Sequence, residues 1–196
     1  KDKQRVGRTN QIFIATQTLQ DSCVATYELH DESREQQENW AARLIKSEIA
    51  LESGDMLKYL PANHVTFKGR TRIYPGKFLS VYSGESSFEY SVSNPEKQGT
   101  GLVFSSSCNP FHDGHRAMIE YARKMFLDTN IYCELSVKNF EKPTVNYISL
   151  DKRLKSIPGG LFDNTIVSNL SHFTDKAKAM PGTTFAVGAD TLNRIN

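Results

Sequence analysis

The chain has 196 residues, of which 38% are apolar and 23% charged, with 24 Lys and Arg against 22 Asp and Glu. That is the composition of a folded globular protein, and a net charge of +2 gives no electrostatic case for a nucleic-acid or membrane-surface partner. No run reaches the roughly 18 apolar residues of a membrane span, and no signal peptide is visible.

Cys23, Cys108 and Cys133 are far apart and none belongs to a CxxC pair. Neither a disulfide framework nor a zinc site is expected, and an intracellular, cytoplasmic setting fits. The chain begins without Met and stops at Thr191-Leu-Asn-Arg-Ile-Asn196, inside a stretch that reads as helix. A fragment of a longer protein is expected.

Gln11 to His30 reads as two strands. Ile12 and Ile14 alternate with other residues, and after a polar turn at Gln20-Asp-Ser22 so do Ala25, Tyr27 and Leu29. Ser33 to Ser53 reads as a helix, opened by the capping-box spacing of Ser33 and Gln36. Trp40, Ala41, Leu44, Ile45 and Leu51 fall on one side, and Gly54 marks the stop. Residues 55–98 are rich in Ser, Gly, Tyr and Phe, with Phe88, Tyr90 and Val92 alternating. They predict short strands joined by turns, then the polar linker Ser93-Asn-Pro-Glu-Lys-Gln-Gly99.

From Thr100 strands and helices alternate. Leu102-Val-Phe104 predicts a buried strand, and Met118, Tyr121, Ala122, Met125 and Phe126 a helix. Ile131, Cys133, Leu135 and Val137 predict a second strand, and Leu150, Leu154 and Ile157 a helix ending at Pro158-Gly-Gly160. A third strand at Thr165-Ile-Val167, a helix over Ser171 to Met180 and a fourth strand at Thr184-Phe-Ala-Val187 follow. This pattern implies an α/β fold with a mostly parallel sheet, whose ligands bind at the carboxyl ends of the strands.

At such an end lies Ser105-Ser-Ser-Cys-Asn-Pro-Phe-His-Asp-Gly-His115. A helix start carries free amides and partial positive charge, which attract phosphate. Ser105, Ser106 and Ser107 are small enough to let phosphate approach the backbone. Pro110 stiffens the turn, Asp113 is the expected N-cap, and Gly114 removes a side chain. His112 and His115, three apart in the first turn, put two imidazoles on one side.

The segment resembles the His-x-Gly-His motif of the nucleotidyltransferase superfamily, the Rossmann-like adenylyl- and cytidylyltransferases, which carries a Gly-Ser/Thr-Phe-Asn/Asp-Pro stretch before it. Ser107-Cys-Asn-Pro-Phe-His-Asp-Gly-His115 matches, with Ser105 and Ser106 where glycines are common and Cys108 where Phe is usual. Glu134-Leu-Ser-Val-Lys-Asn-Phe-Glu-Lys-Pro143 and Phe185-Ala-Val-Gly-Ala-Asp-Thr-Leu192 look like the nicotinamide or nicotinate mononucleotide adenylyltransferases. By this resemblance Gly188, Asp190 and Lys142 become nucleotide-binding candidates. Asp190, just past a strand end, is also placed to accept hydrogen bonds from ribose hydroxyls, or to cap a helix. Lys142 is the weaker candidate and reads more readily as a solvated loop cation. Gln11 to Gly54 resembles the last part of a CinA C-terminal, nicotinamide-nucleotide amidase-like domain, through Ile12-Phe-Ile-Ala-Thr-Gln17, the return strand to His30 and Arg34-Glu-Gln-Gln37. No catalytic residue of that fold falls within it. The expected organisation is a partial α/β segment at 1–54, a β-rich connector at 55–99 and the nucleotidyltransferase domain at 100–196.

The resemblance implies transfer of an adenylyl group from ATP to a mononucleotide phosphate, with release of pyrophosphate. His112 and His115 would act on the triphosphate, with backbone amides of Ser106 to Cys108 and the glycine at Gly114 seating it. Mg²⁺ would arrive on the triphosphate, not in a protein cage. A cytidylyltransferase acting on a phospho-alcohol and a non-catalytic nucleotide-binding module are the alternatives. The family's Ser/Thr-rich segment ending in Arg is not seen after Asp190. A homo-oligomer is left open, and His64 and His172 have no motif around them.

Overall fold

A computed structural model describes residues 10–30, 33–52, 64–138 and 143–192, apart from the side chains of Glu52, Pro95 and Asp190. Gly54 and Lys142 lie outside the described residues. The chain divides between Tyr74 and Pro75 into two compact units.

The first unit is a three-stranded antiparallel sheet and a helix. Strands β1 (Asn10–Gln17) and β2 (Ser22–Leu29) form a hairpin. Its turn is built by Thr18, whose hydroxyl accepts from the amides of Gln20 at 3.0 Å and Asp21 at 3.1 Å, a Ser/Thr turn. Helix α1 (Arg34–Glu52) starts at the expected capping box: Ser33 N donates to Gln36 Oε1 at 2.9 Å and Gln36 N to Ser33 Oγ at 3.4 Å. Its expected apolar side is corrected. Ile45 and Leu51 are exposed, whereas Leu44, Ser47 and Glu48 are buried. The reason is Glu48, whose carboxylate accepts from the Tyr27 hydroxyl and from Arg70 at 2.7 and 2.8 Å. The partners draw a charged residue inward. Burial and then Glu48 push the Tyr27 pKa up to about 12.

Arg70 belongs to β3 (Val65–Ile73), which pairs with β2 and completes this sheet. Residues 55–99 are therefore not one connector. Residues 65–73 join the first sheet, while β4 (Phe88–Tyr90) joins the second. The Ser93–Gly99 linker is pinned to β7 (Asn164–Ser168) by Asn164, which accepts from Val92 N at 3.0 Å and donates to Lys97 O at 3.0 Å.

The second unit is a mixed α/β fold around a five-stranded sheet ordered β4-β7-β6-β5-β8. Strands β5 (Leu102–Ser105), β6 (Ile131–Ser136), β7 and β8 (Thr184–Ala186) are parallel, and β4 is antiparallel at the edge. After a short helix α2 (Leu79–Ser83), the helices are α3 (Asp113–Met125), α4 (Tyr147–Ser156), α5 (Phe173–Ala179) and α6 (Ala189–Leu192). One sheet face packs Leu102 and Phe104 under Ile119 and Ala122 of α3, and Cys133 and Leu135 under Leu150 of α4. The other packs Val103, Tyr132 and Ile166 with Met180, at the end of α5. Burial on both faces is what a parallel sheet requires. A Cβ on Gly101 would stand 2.4 Å from Asn130 O, so glycine there lets β5 and β6 begin side by side.

The strand order fixes where a ligand crevice forms. The chain runs from β5 outward through β6 and β7, then returns to place β8 on the other side of β5. β5 is thus flanked by β6, which follows it in the chain, and by β8, which comes last, and in parallel sheets ligands bind at the carboxyl ends of the strands where the order reverses. No described helix is long and apolar enough to cross a membrane.

Candidate functional site

At the carboxyl end of β5 the chain passes through residues 105–112 into α3. Ser106 N still donates to Glu134 O at 3.1 Å, so the ladder with β6 extends one residue past the strand. Cys108 then adopts φ 42°, a left-handed conformation that costs a side-chain-bearing residue on the order of 1 kcal/mol. It turns the thiol inward, where Cys108 is fully buried and its Sγ lies 3.7 Å from Cys133 Sγ. The Asn109–Pro110 bond is cis. Phe111 N donates to Ser156 Oγ at 3.3 Å, tying the loop to the last turn of α4.

The N-cap of α3 is His112, not Asp113. His112 has extended backbone, and its N–H donates to Nδ1 of His115 at 3.3 Å. The imidazole thus replaces the usual Glu or Gln at the third position of a capping box. Asp113 falls in the first turn, where its charge still suits the helix dipole. The two rings stack, with centroids 3.6 Å apart and planes inclined by 21°. A Cβ on Gly114 would approach the His112 ring to 3.1 Å, so glycine leaves that ring its place.

This geometry selects a tautomer. Nδ1 of His115 accepts a backbone N–H, so in the neutral ring the proton sits on Nε2. Nε2 lies 3.2 Å from Ser106 Oγ and donates to it. Burial first, then the charge of His112, lowers the His115 pKa below its ordinary 6.5. The neutral, Nε2–H form therefore dominates at neutral pH. Phe104 and Phe111 pack edgewise or tilted against the same ring.

His112, His115, Ser106 and Gly114 thus come together. Ser107 is exposed on the same loop. The expected use of the Ser106 and Cys108 amides to seat phosphate is corrected: the first is spent on the β6 ladder, and the second donates to Ser106 Oγ at 3.3 Å. Gly188 follows β8 and accepts from the amides of Thr191 and Leu192 at 3.0 Å, so it opens α6. Asp190 is inside that helix, not at its cap, and its side chain lies outside the described atoms, as does all of Lys142.

Sequence reading missed a polar cluster beneath the loop. Glu134 is fully buried. Its Oε2 accepts from Ser105 Oγ at 2.5 Å and from Lys176 Nζ at 2.7 Å, and its Oε1 accepts from Ser168 Oγ. Lys176 Nζ also donates to Ser105 Oγ at 2.7 Å. One carboxylate on β6 thereby joins the carboxyl ends of β5, β6 and β7 to α5. Its signal was a lone Glu inside the apolar run Ile131–Val137 of a strand buried on both faces. A second missed neighbour is Arg153 of α4. The Cys108 thiol is held below its ordinary value by the hydrogen bond with Cys133. Burial opposes this, while the Ser106 hydroxyl and the Arg153 charge add to it. The Cys133 thiol is pushed well up, by that bond with Cys108 and by burial.

An open depression of about 360 Å³, lined by Thr100, Gly101, Asp128, Asn130 and Thr184, lies at the opposite, amino end of the strands. Comparison with protein-family models, curated proteins and solved structures finds no match to the chain.

Proposed function

We propose that the second unit is a Rossmann-like nucleotidyltransferase domain that moves an adenylyl group from ATP to the phosphate of a nicotinamide or nicotinate mononucleotide. The observation that carries this reading is the stacked His112–His115 pair, held at the start of α3 just past the carboxyl end of β5. The sheet order supports it, because nucleotides bind at the carboxyl ends of parallel strands, beside the point where the strand order reverses. In the reaction an oxygen of the acceptor phosphate attacks the α-phosphorus, the bond to the bridging oxygen breaks, and pyrophosphate leaves with the electron pair. Such transfers run on positioning and charge stabilisation.

His115 offers its Nε2–H to Ser106 Oγ, at 3.2 Å on the loop. A phosphate oxygen arriving there would take the place of Ser106 Oγ as acceptor of that N–H. His112, exposed and stacked on His115, supplies the second donor. Mg²⁺ bound to the phosphates would neutralise their charge. Such an ion would arrive on the triphosphate, with the phosphates as its main ligands.

The test is His115→Ala, assayed by pyrophosphate release with ATP and nicotinamide mononucleotide. Turnover falls by a factor of at least about a hundred, the scale of a lost transition-state donor, while the circular dichroism spectrum persists. Near-normal turnover would refute the assignment. Replacing ATP by CTP separates cytidylyl from adenylyl transfer. One observation favours a second reading, a nucleotide-binding module without turnover: two of the three expected loop amides are already engaged within the protein. Nucleotide binding with no pyrophosphate release would establish that reading instead.

A further inference from the structure

Arg153 differs from the other arginines that reach into the protein. Arg123 meets Asp163 at 3.1 Å, and in the first unit Arg70 and Arg72 meet Glu48 and Asp21. Arg153 is half-buried on α4, makes no ion pair or hydrogen bond through its side chain with any described residue, and has a buried, unpartnered Nε. A guanidinium stays charged at any physiological pH, and a buried N–H without an acceptor costs stability. A packing role alone would be met by Met or Leu without that cost.

Its position says what the charge serves. Arg153 lies one turn before Ser156, on the same side of α4. Ser156 Oγ donates to Arg153 O at 2.7 Å and accepts from Phe111 N at 3.3 Å. Leu150 and Leu154 pack in one cluster with Cys108 and Phe111. The Arg153 charge is felt at the Cys108 thiol. Arg153 therefore stands beside the loop that ends in His112. α4 connects β6 to β7, so this is the side of β5 opposite β8 and Gly188.

We propose that Arg153 binds an oxyanion of the acceptor mononucleotide, on the β6–β7 side of the histidine pair, leaving the β8 side to the nucleoside triphosphate. This rests on the nucleotidyltransferase reading. It gives the acceptor mononucleotide a cation of its own on one flank of the loop. The planar fork of five N–H donors suits a phosphate or a carboxylate.

The test is calorimetric titration of the full chain and its Arg153→Met and Arg153→Lys variants with nicotinamide mononucleotide, nicotinic acid mononucleotide and MgATP. Arg153→Met should weaken mononucleotide binding at least tenfold, leave MgATP within twofold, and keep or raise the unfolding midpoint. Equal loss for both mononucleotides assigns the phosphate, and loss confined to the acid form assigns its carboxylate. Arg153→Lys retains fold and charge without the fork, and an intermediate loss is expected. Wild-type mononucleotide affinity in Arg153→Lys and Arg153→Met, with MgATP binding intact, overturns the proposal and leaves the enzyme reading standing. An equal loss of MgATP affinity overturns the separation of sides. A wild-type chain that binds none of the three overturns both.

Discussion

Glu48 in the first unit and Glu134 in the second are both sealed from solvent and both meet a cation, yet their surroundings differ. Glu48 accepts from Tyr27 and Arg70, and the Arg70 side chain remains 30% exposed. Glu134 accepts from Lys176, whose side chain is 6% exposed, and from Ser105 and Ser168. The first pair ties a helix to an edge strand of an antiparallel sheet, with its arginine open to solvent. The second forms a buried cluster under the loop that carries His112 and His115. A buried pair is weak evidence for stability, because desolvation offsets much of the attraction. Its position is more informative: Glu134 and Lys176 fix Ser105, the last residue before the candidate site.

The largest effect should come from Lys176→Met, which leaves Glu134 buried without its cation. A loss of about 3–5 kcal/mol is expected, read from urea denaturation, and a loss under about 1 kcal/mol would break the contrast. Arg70→Met should be milder, about 1–3 kcal/mol, because Tyr27 still donates to Glu48 and water can enter from the exposed side. If Arg70→Met proves as damaging as Lys176→Met, the openness of the first pair counts for nothing.

Smaller still is a pH effect in the second unit. The His115 pKa is lowered in the folded protein, so the unfolded chain takes up its proton first as pH falls. Stability is unaffected above the ordinary value of 6.5 and is lost as pH drops from there through the folded value. His115→Asn should flatten that decline between about pH 7 and 5, measured as unfolding midpoint against pH. An unchanged slope would show that His115 titrates as it does in the unfolded chain.

Much of the second unit was legible because β5 to β8 alternate with helices at ordinary spacing, and each strand is a compact apolar run. The capping box at Ser33 and Gln36 was legible because it is local. What was not legible depended on distant partners. β3 reads Val65-Thr-Phe-Lys-Gly-Arg-Thr-Arg-Ile73, too polar for an apolar-strand pattern. Yet its cations alternate at Lys68, Arg70 and Arg72 and meet Glu28, Glu48 and Asp21. The period of two was present in charge instead of hydrophobicity. β4 was visible as an alternation, but its place at the edge of the second sheet is set by pairing with β7. At the site the two histidines were legible from their spacing. The capping role of His112 was not, because Asp113 is the more familiar cap and only the geometry gives Nδ1 of His115 to the His112 amide. Arg153 carried no signal at all, since what distinguishes it is a partner it does not have among the described residues.

The most direct measurement of the central claim is the imidazole titration of His115 by NMR, with and without MgATP. A phosphate seated on the stacked pair raises the His115 pKa from its depressed value and shifts the Nε2 resonance at saturating nucleotide. A titration curve that MgATP leaves unmoved would contradict the phosphate-binding role of the pair.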